Sequence, residues 1–173
     1  HGWPRLAIGW VGRAVLIPLR CADPTQIATI AHGNIESPSA WGLHESKRGL
    51  LNHGLEVFGQ GGVKFGLTIC EDIWDIGEDP LYTINPMDEL IKQKPDVMIN
   101  IAASPFHYEQ ARLRKEVILT NVNKYGLPLF YVNHVGAQTE LLFDGGSLVA
   151  SPSGFIYEEL NYFEEDFRIY NLE

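Results

Sequence analysis

An α/β fold, with helices covering a sheet, is predicted by three features of the 173-residue sequence. From residue 63 onward, short β-branched apolar runs alternate with helix-length segments. Glycine and proline, 17 and 10 in number, punctuate those runs often enough for many strand-to-loop turns. A composition 45% hydrophobic and 20% charged is sufficient for the core of one domain.

The N-terminal zone is the least patterned. Residues 6–8 and 14–19 read as strands, and residues 1–45 as a whole remain unassigned. Residues 63–69, bounded by Gly61-Gly62, form a short apolar run of buried-strand type. Asn85-Pro86 opens a helix over 87–94, because Asn caps and Pro is pre-set for the first helical position. Residues 96–101 are the next strand. A helix is expected over 107–124, with Ala111, Ile118, Leu119 and Val122 on one face and Gly126 as its stop. Residues 127–132 form a third strand. Short strands over 147–150, 155–157 and 167–170 follow, the first two joined by a Ser153-Gly154 turn, so part of the sheet is expected to be antiparallel.

Charge narrows the function classes. Twenty-two acids against 13 bases leave a net charge of −9 and no basic cluster for tracking phosphates, so no nucleic-acid partner is expected. Cys21 and Cys70 are too few and too far apart for a structural zinc site, and no metal is expected. With no apolar stretch of membrane-span length and no secretory signal, the expectation is a cytoplasmic protein without a membrane partner.

Cys70 ends the 63–69 strand and is followed by Glu71 and Asp72. A cysteine at the sharp end of a buried strand can present its sulfur to a substrate, while the N–H groups beyond it face a developing oxyanion. A free cysteine is also a common small core residue, but the flanking acids argue against a purely apolar setting here. Those acids raise a thiol's pKa, so a cation is required nearby.

The run Gly66-Leu67-Thr68-Ile69-Cys70-Glu71-Asp72-Ile73-Trp74 resembles the nucleophile motif of the nitrilase superfamily, in the version found in the glutaminase domain of glutamine-dependent NAD+ synthetases. Three later blocks resemble that family in the same order. They are residues 99–108, around Ser104-Pro105-Phe106, residues 131–141, around Asn133-His134-Val135-Gly136, and Phe143-Asp144-Gly145-Gly146-Ser147. With a weaker block at residues 47–55, the resemblance spans about residues 47–173. It implies a nitrilase-like α-β-β-α sandwich, incomplete at the N-terminal side, with residues 1–173 forming a single partial carbon–nitrogen hydrolase domain.

The resemblance also implies a Glu-Lys-Cys triad that hydrolyses glutamine through a cysteine thioester and supplies ammonia for NAD+ synthesis from deamido-NAD+. Cys70 carries over as the nucleophile, and the Glu71 backbone N–H as the oxyanion donor. Lys47, in Lys47-Arg48-Gly49-Leu50-Leu51-Asn52-His53, matches the catalytic lysine, and His53 stands where the family has a substrate-contacting Tyr. Ser104 matches the substrate-loop serine; Gln110 stands where the family has a Lys or Arg on substrate, with Arg112 and Arg114 as nearby substitutes. The general-base Glu has no matching block within residues 1–46; the acids there are Asp23, Glu36 and Glu45.

No cofactor is implied for the amide step. ATP and Mg belong to a synthetase domain not contained in these residues, and Gly145-Gly146-Ser147 reads as a tight turn rather than a phosphate loop. Glutamine is the implied substrate, and a homo-oligomer or a synthetase domain the implied protein partner. Two other readings stay open: a nitrilase-type amidase for a different carboxamide, or a truncated non-catalytic relative acting only in assembly.

Overall fold

A computed structural model of the chain describes residues 5–11, 14–15, 56–60, 62–77 and 84–171, with side chains for 62–77 and 84–171. The strands are β1 (Arg5–Val11), β2 (Ala14–Val15), β3 (Glu56–Gln60), β4 (Val63–Ile69), β5 (Val97–Ala102), β6 (Leu129–Asn133), β7 (Val135–Gln138), β8 (Leu141–Asp144), β9 (Leu148–Ser151), β10 (Phe155–Glu159) and β11 (Asp166–Asn171). The helices are α1 (Pro86–Ile91) and α2 (Gln110–Tyr125), and a 3-10 turn covers Cys70–Ile73.

Six strands form the main sheet in the order β10-β9-β6-β5-β4-β3. Its centre, β4-β5-β6, is parallel, with α1 and α2 as the crossovers, and its flanks are antiparallel. Such a centre needs both faces covered, which is why β5 is buried at every position. One face carries Phe65, Ile99, Ile101, Phe130 and Val132 and packs against Tyr170 of β11, in a second sheet ordered β11-β1-β2. The other carries Met98, Ala102, Leu129 and Tyr131 beneath Met87 and Leu90 of α1 and Val117, Ile118 and Val122 of α2. Burying a side chain such as Ile118 contributes about 1.5–3 kcal/mol. The layers are thus helix, sheet, sheet, as expected for an α/β sandwich; the second helical layer is not among the described residues.

The local chemistry sets the element ends. The Asn85 side chain accepts from Met87 N at 2.8 Å and Asp88 N at 3.3 Å, capping α1. Its amide donates to Asp75 O at 2.6 Å, tying the helix to the segment after the 3-10 turn. α1 ends at Ile91 rather than at 94, and the chain leaves through Lys94 at φ 55. Gly66 lets α1 approach β4: a Cβ there would stand 2.8 Å from Met98 Sδ and 3.0 Å from Leu90 Cδ2.

Four further differences from expectation stand out. α2 starts at Gln110, three residues after the predicted start, and no side chain caps it. Its buried residues are Arg114, Val117, Ile118, Asn121 and Val122: Ile118 and Val122 face the core as predicted, but Ala111 and Leu119 are only partly buried, because two polar residues occupy buried positions. β3 pairs antiparallel with β4, from Glu56↔Leu67 to Gln60↔Val63, in a stretch to which no element was assigned. β7 and β8 form a separate two-stranded hairpin in a stretch to which no element was assigned. Of the predicted 14–19 strand only Ala14–Val15 lies within the described residues.

Candidate active site

The parallel strands end together at one edge of the sheet, where ligands of open α/β sheets bind. Their register sets Ile69 beside Ile101 and Ala102 beside Asn133, so Cys70, Ala103-Ser104 and His134 emerge from that edge. Cys70 is half-buried and has φ 47, the left-handed region that a non-glycine residue occupies only under constraint from its surroundings. The strand thus breaks sharply at the cysteine and continues as the 3-10 turn. The Asp72 carboxylate closes this turn by accepting from Ile69 N at 2.8 Å. Asn121 of α2 donates to Ile73 O at 2.7 Å and holds it from the helix side.

Burial pushes the Cys70 thiol up, and the Glu71 and Asp72 charges push it further; the Ala103 and Glu71 backbone N–H groups pull it down. These two backbone donors favour the thiolate over the thiol. Burial, foremost, and the Glu71 charge push the Asp72 carboxyl up to about 6 against the opposing Ile69 N–H.

Ser104 is buried and sits at the opening of the loop after β5. Its N–H donates to Asn133 Oδ1 at 2.9 Å, and its Oγ accepts from Gln110 Nε2 at 3.1 Å. Two residues nominated from sequence are therefore joined directly. Beyond them, exposed Phe106 makes edge contacts with Tyr108 and Phe163, at ring-centroid distances of 5.9 and 5.4 Å.

Asn133 is the hub behind Ser104. Its Nδ2 donates to Gly145 O at 2.8 Å and to Asp144 Oδ1 at 3.4 Å, and Ser147 Oγ lies 3.0 Å from its N–H. Asp144 is gripped by both Arg114 nitrogens, at 2.7 and 2.6 Å, in a pair whose side chains are each 2% exposed. Arg114 is thus committed inside the protein and does not serve as a substitute substrate contact. Arg112 is exposed and pairs with Glu109 and Glu116. Gly145 and Gly146, at φ 70 and 62, make the tight turn expected of them; a Cβ on Gly146 would overlap the Tyr162 ring.

Lys47, His53, Cys21, Asp23, Glu36 and Glu45 lie outside the described residues. Among the described residues, no three His, Cys, Asp or Glu side chains group as a metal site. No helix among them is long and apolar enough to cross a membrane. Sequence reasoning passed over Asn100, Asn121 and Asn133. The available signal was an Asn inside or ending an otherwise apolar segment, since a polar group buried there must be hydrogen-bonded.

No family model matches the chain. Over 121 residues it is 35% identical to the glutamine-dependent NAD(+) synthetase of Synechocystis sp., an alignment covering 68% of this chain and 22% of that protein. A solved glutamine-dependent NAD+ synthetase from Acinetobacter baumannii superposes over 94% of this chain and 30% of its own, with TM-score 0.63 and 25% identity. An amidase of the nitrilase superfamily from Nesterenkonia AN1 superposes over 69% of this chain and 41% of its own, with TM-score 0.56 and 21% identity. A layered α/β sandwich with a cysteine on a strand-end elbow, superposing on both, has the nitrilase-superfamily, carbon–nitrogen hydrolase fold. Within that superfamily the chain is homologous to the glutamine-dependent NAD+ synthetases over about two thirds of its length. It spans about a fifth of the length of the curated relatives it matches.

Proposed function

We propose that this chain is the glutaminase portion of a glutamine-dependent NAD+ synthetase, with Cys70 as its nucleophile. The observation that carries the reading is the Cys70 elbow, a left-handed backbone at the end of β4, in a chain 35% identical to such synthetases. The thiolate forms a C–S bond to the side-chain carboxamide carbon of glutamine, and the oxyanion collapses to break the C–N bond. The nitrogen takes the thiol's proton and leaves as ammonia. Water then hydrolyses the thioester to glutamate and restores the thiol. In a Glu-to-Gln mutant of the amidase from Nesterenkonia sp. AN1 the acetamide moiety of fluoroacetamide adds covalently at the active-site cysteine, which supports cysteine nucleophilicity on this fold.

In this reading Lys47 and the Glu71 N–H stabilise the oxyanion, and a Glu outside the described residues takes and returns the proton. Ser104, with Gln110 behind it, and His53 hold the substrate. The step uses no cofactor. ATP and Mg act in a synthetase domain that receives the ammonia, in the cytoplasm, and the chains self-associate. A second reading, a relative that acts only in assembly, draws on one observation: the two acids that bear on Cys70 both oppose its thiolate.

Ammonia release from glutamine separates the two. The glutaminase reading predicts release by the wild-type chain and none by Cys70→Ala. Equal release by both, or none by either, overturns it.

A further inference from the structure

Beneath the Cys70 elbow, Thr68, Asn100 and Tyr131 stand side by side on β4, β5 and β6, one residue short of the end of β4 and two short of the ends of β5 and β6. All three are fully buried. Asn100 Nδ2 donates to Thr68 Oγ1 at 3.0 Å and to the Cys70 carbonyl oxygen at 3.4 Å. Thr68 Oγ1 spends its own proton on Ile99 O at 3.1 Å, so it accepts from Asn100. Both partners are therefore acceptors, which fixes which end of the amide faces them.

The other end of that amide has no partner: Asn100 Oδ1 is buried without a hydrogen bond. A core position that served packing alone would lose nothing with an apolar residue of similar shape, because an unsatisfied buried carbonyl is unfavourable. What Asn100 has that leucine lacks is its NH2 group, and that group grips the carbonyl of the one residue in the turn with a left-handed backbone. Backbone conformations of this kind persist only where neighbours over-determine them.

We propose that Asn100 is a positioning residue that holds the Cys70 carbonyl, and through it the left-handed elbow that sets the direction of the thiol. Its effect on amide hydrolysis rests on the glutaminase reading; its effect on the thiol does not. Released from Asn100, the elbow relaxes toward extended backbone and the thiol turns away from the backbone donors that favour its thiolate. Glu71 and Asp72 on the turn, and Tyr131 on β6, are the titratable groups that bear on Cys70, and all three stay in place in the variants below.

The test is the rate of Cys70 alkylation by iodoacetamide across pH, with the site of modification read by peptide mass. Asn100→Leu and Asn100→Ser remove the grip; Thr68→Val removes only the neighbouring hydroxyl. Both Asn100 variants should alkylate about tenfold more slowly at neutral pH, with the profile's midpoint moved upward, while Thr68→Val stays within about threefold of wild type. In the ammonia assay the Asn100 variants should lose kcat with KM little changed. Asn100→Ser decides the matter if Asn100→Leu does not fold. Wild-type alkylation profiles in the folded Asn100 variants, or an equal loss in Thr68→Val, overturn the inference. Normal Cys70 alkylation in a wild-type chain that releases no ammonia would instead count against the glutaminase reading alone.

Discussion

Asp72 offers the most calculable perturbation of the site. Its carboxyl is pushed up from 3.8 to about 6, chiefly by burial. The folded state therefore holds this proton more tightly than the unfolded chain. The stability linked to it is fully present below the ordinary carboxylate range and is lost as pH rises through about 6. A shift of about 2 units, at about 1.4 kcal/mol per unit, makes that loss about 3 kcal/mol at neutral pH. Asp72→Asn keeps an oxygen to accept from Ile69 N and removes the charge. Its stability relative to wild type should rise by about 3 kcal/mol between about pH 4 and pH 8, or about 6–12 °C in Tm for a chain of this size. Urea or thermal unfolding across that range reads the difference directly. The same variant should lower the Cys70 alkylation midpoint, because one of the two charges that raise the thiol is gone. Parallel pH–stability curves for the two proteins, or an unmoved thiol, would refute the reasoning.

Other consequences follow from the network behind Ser104. Arg114→Met leaves Asp144 charged and buried without its guanidinium partner, and should cost about 3–5 kcal/mol in urea unfolding. Gly146→Ala forces a Cβ into the Tyr162 ring at φ 62 and should cost about 2 kcal/mol or more, measured the same way. Gln110→Ala removes the hydrogen bond to Ser104 Oγ. Steady-state ammonia release should then show a raised KM for glutamine, with kcat within about threefold of wild type.

Much of the fold was legible because its signals are local. β4 begins and ends where its apolar run does, since Gly62 turns the chain before it and the Cys70 elbow breaks it afterwards. Gly126 stops α2 at φ 66, as its lack of a Cβ allows. β3 was missed because a five-residue strand holding Gly59 and ending on polar Glu56 and Gln60 shows no clear alternation. The α2 face was legible only at Ile118 and Val122, because Arg114 and Asn121 interrupt the apolar stripe, and those two residues brace the site. Cys70 and Ser104 could be nominated because each lies within a short contiguous motif, and Gln110 by its spacing from Ser104. The hub at Asn133 and the grip of Asn100 were not, because each joins strands 29 to 32 residues apart and becomes visible only with the register. The left-handed backbone at Cys70 is likewise imposed by tertiary contacts, not by the residue type.

The central claim is that Cys70 attacks the carboxamide carbon of glutamine. Incubation of the wild-type chain with an electrophilic diazoketone analogue of glutamine, followed by intact-mass and peptide-mass measurement, tests it most directly. A single adduct on Cys70, blocked by excess glutamine and absent from Cys70→Ala, is the predicted result. An adduct on Cys21, labelling that glutamine does not block, or no adduct at all would contradict the claim.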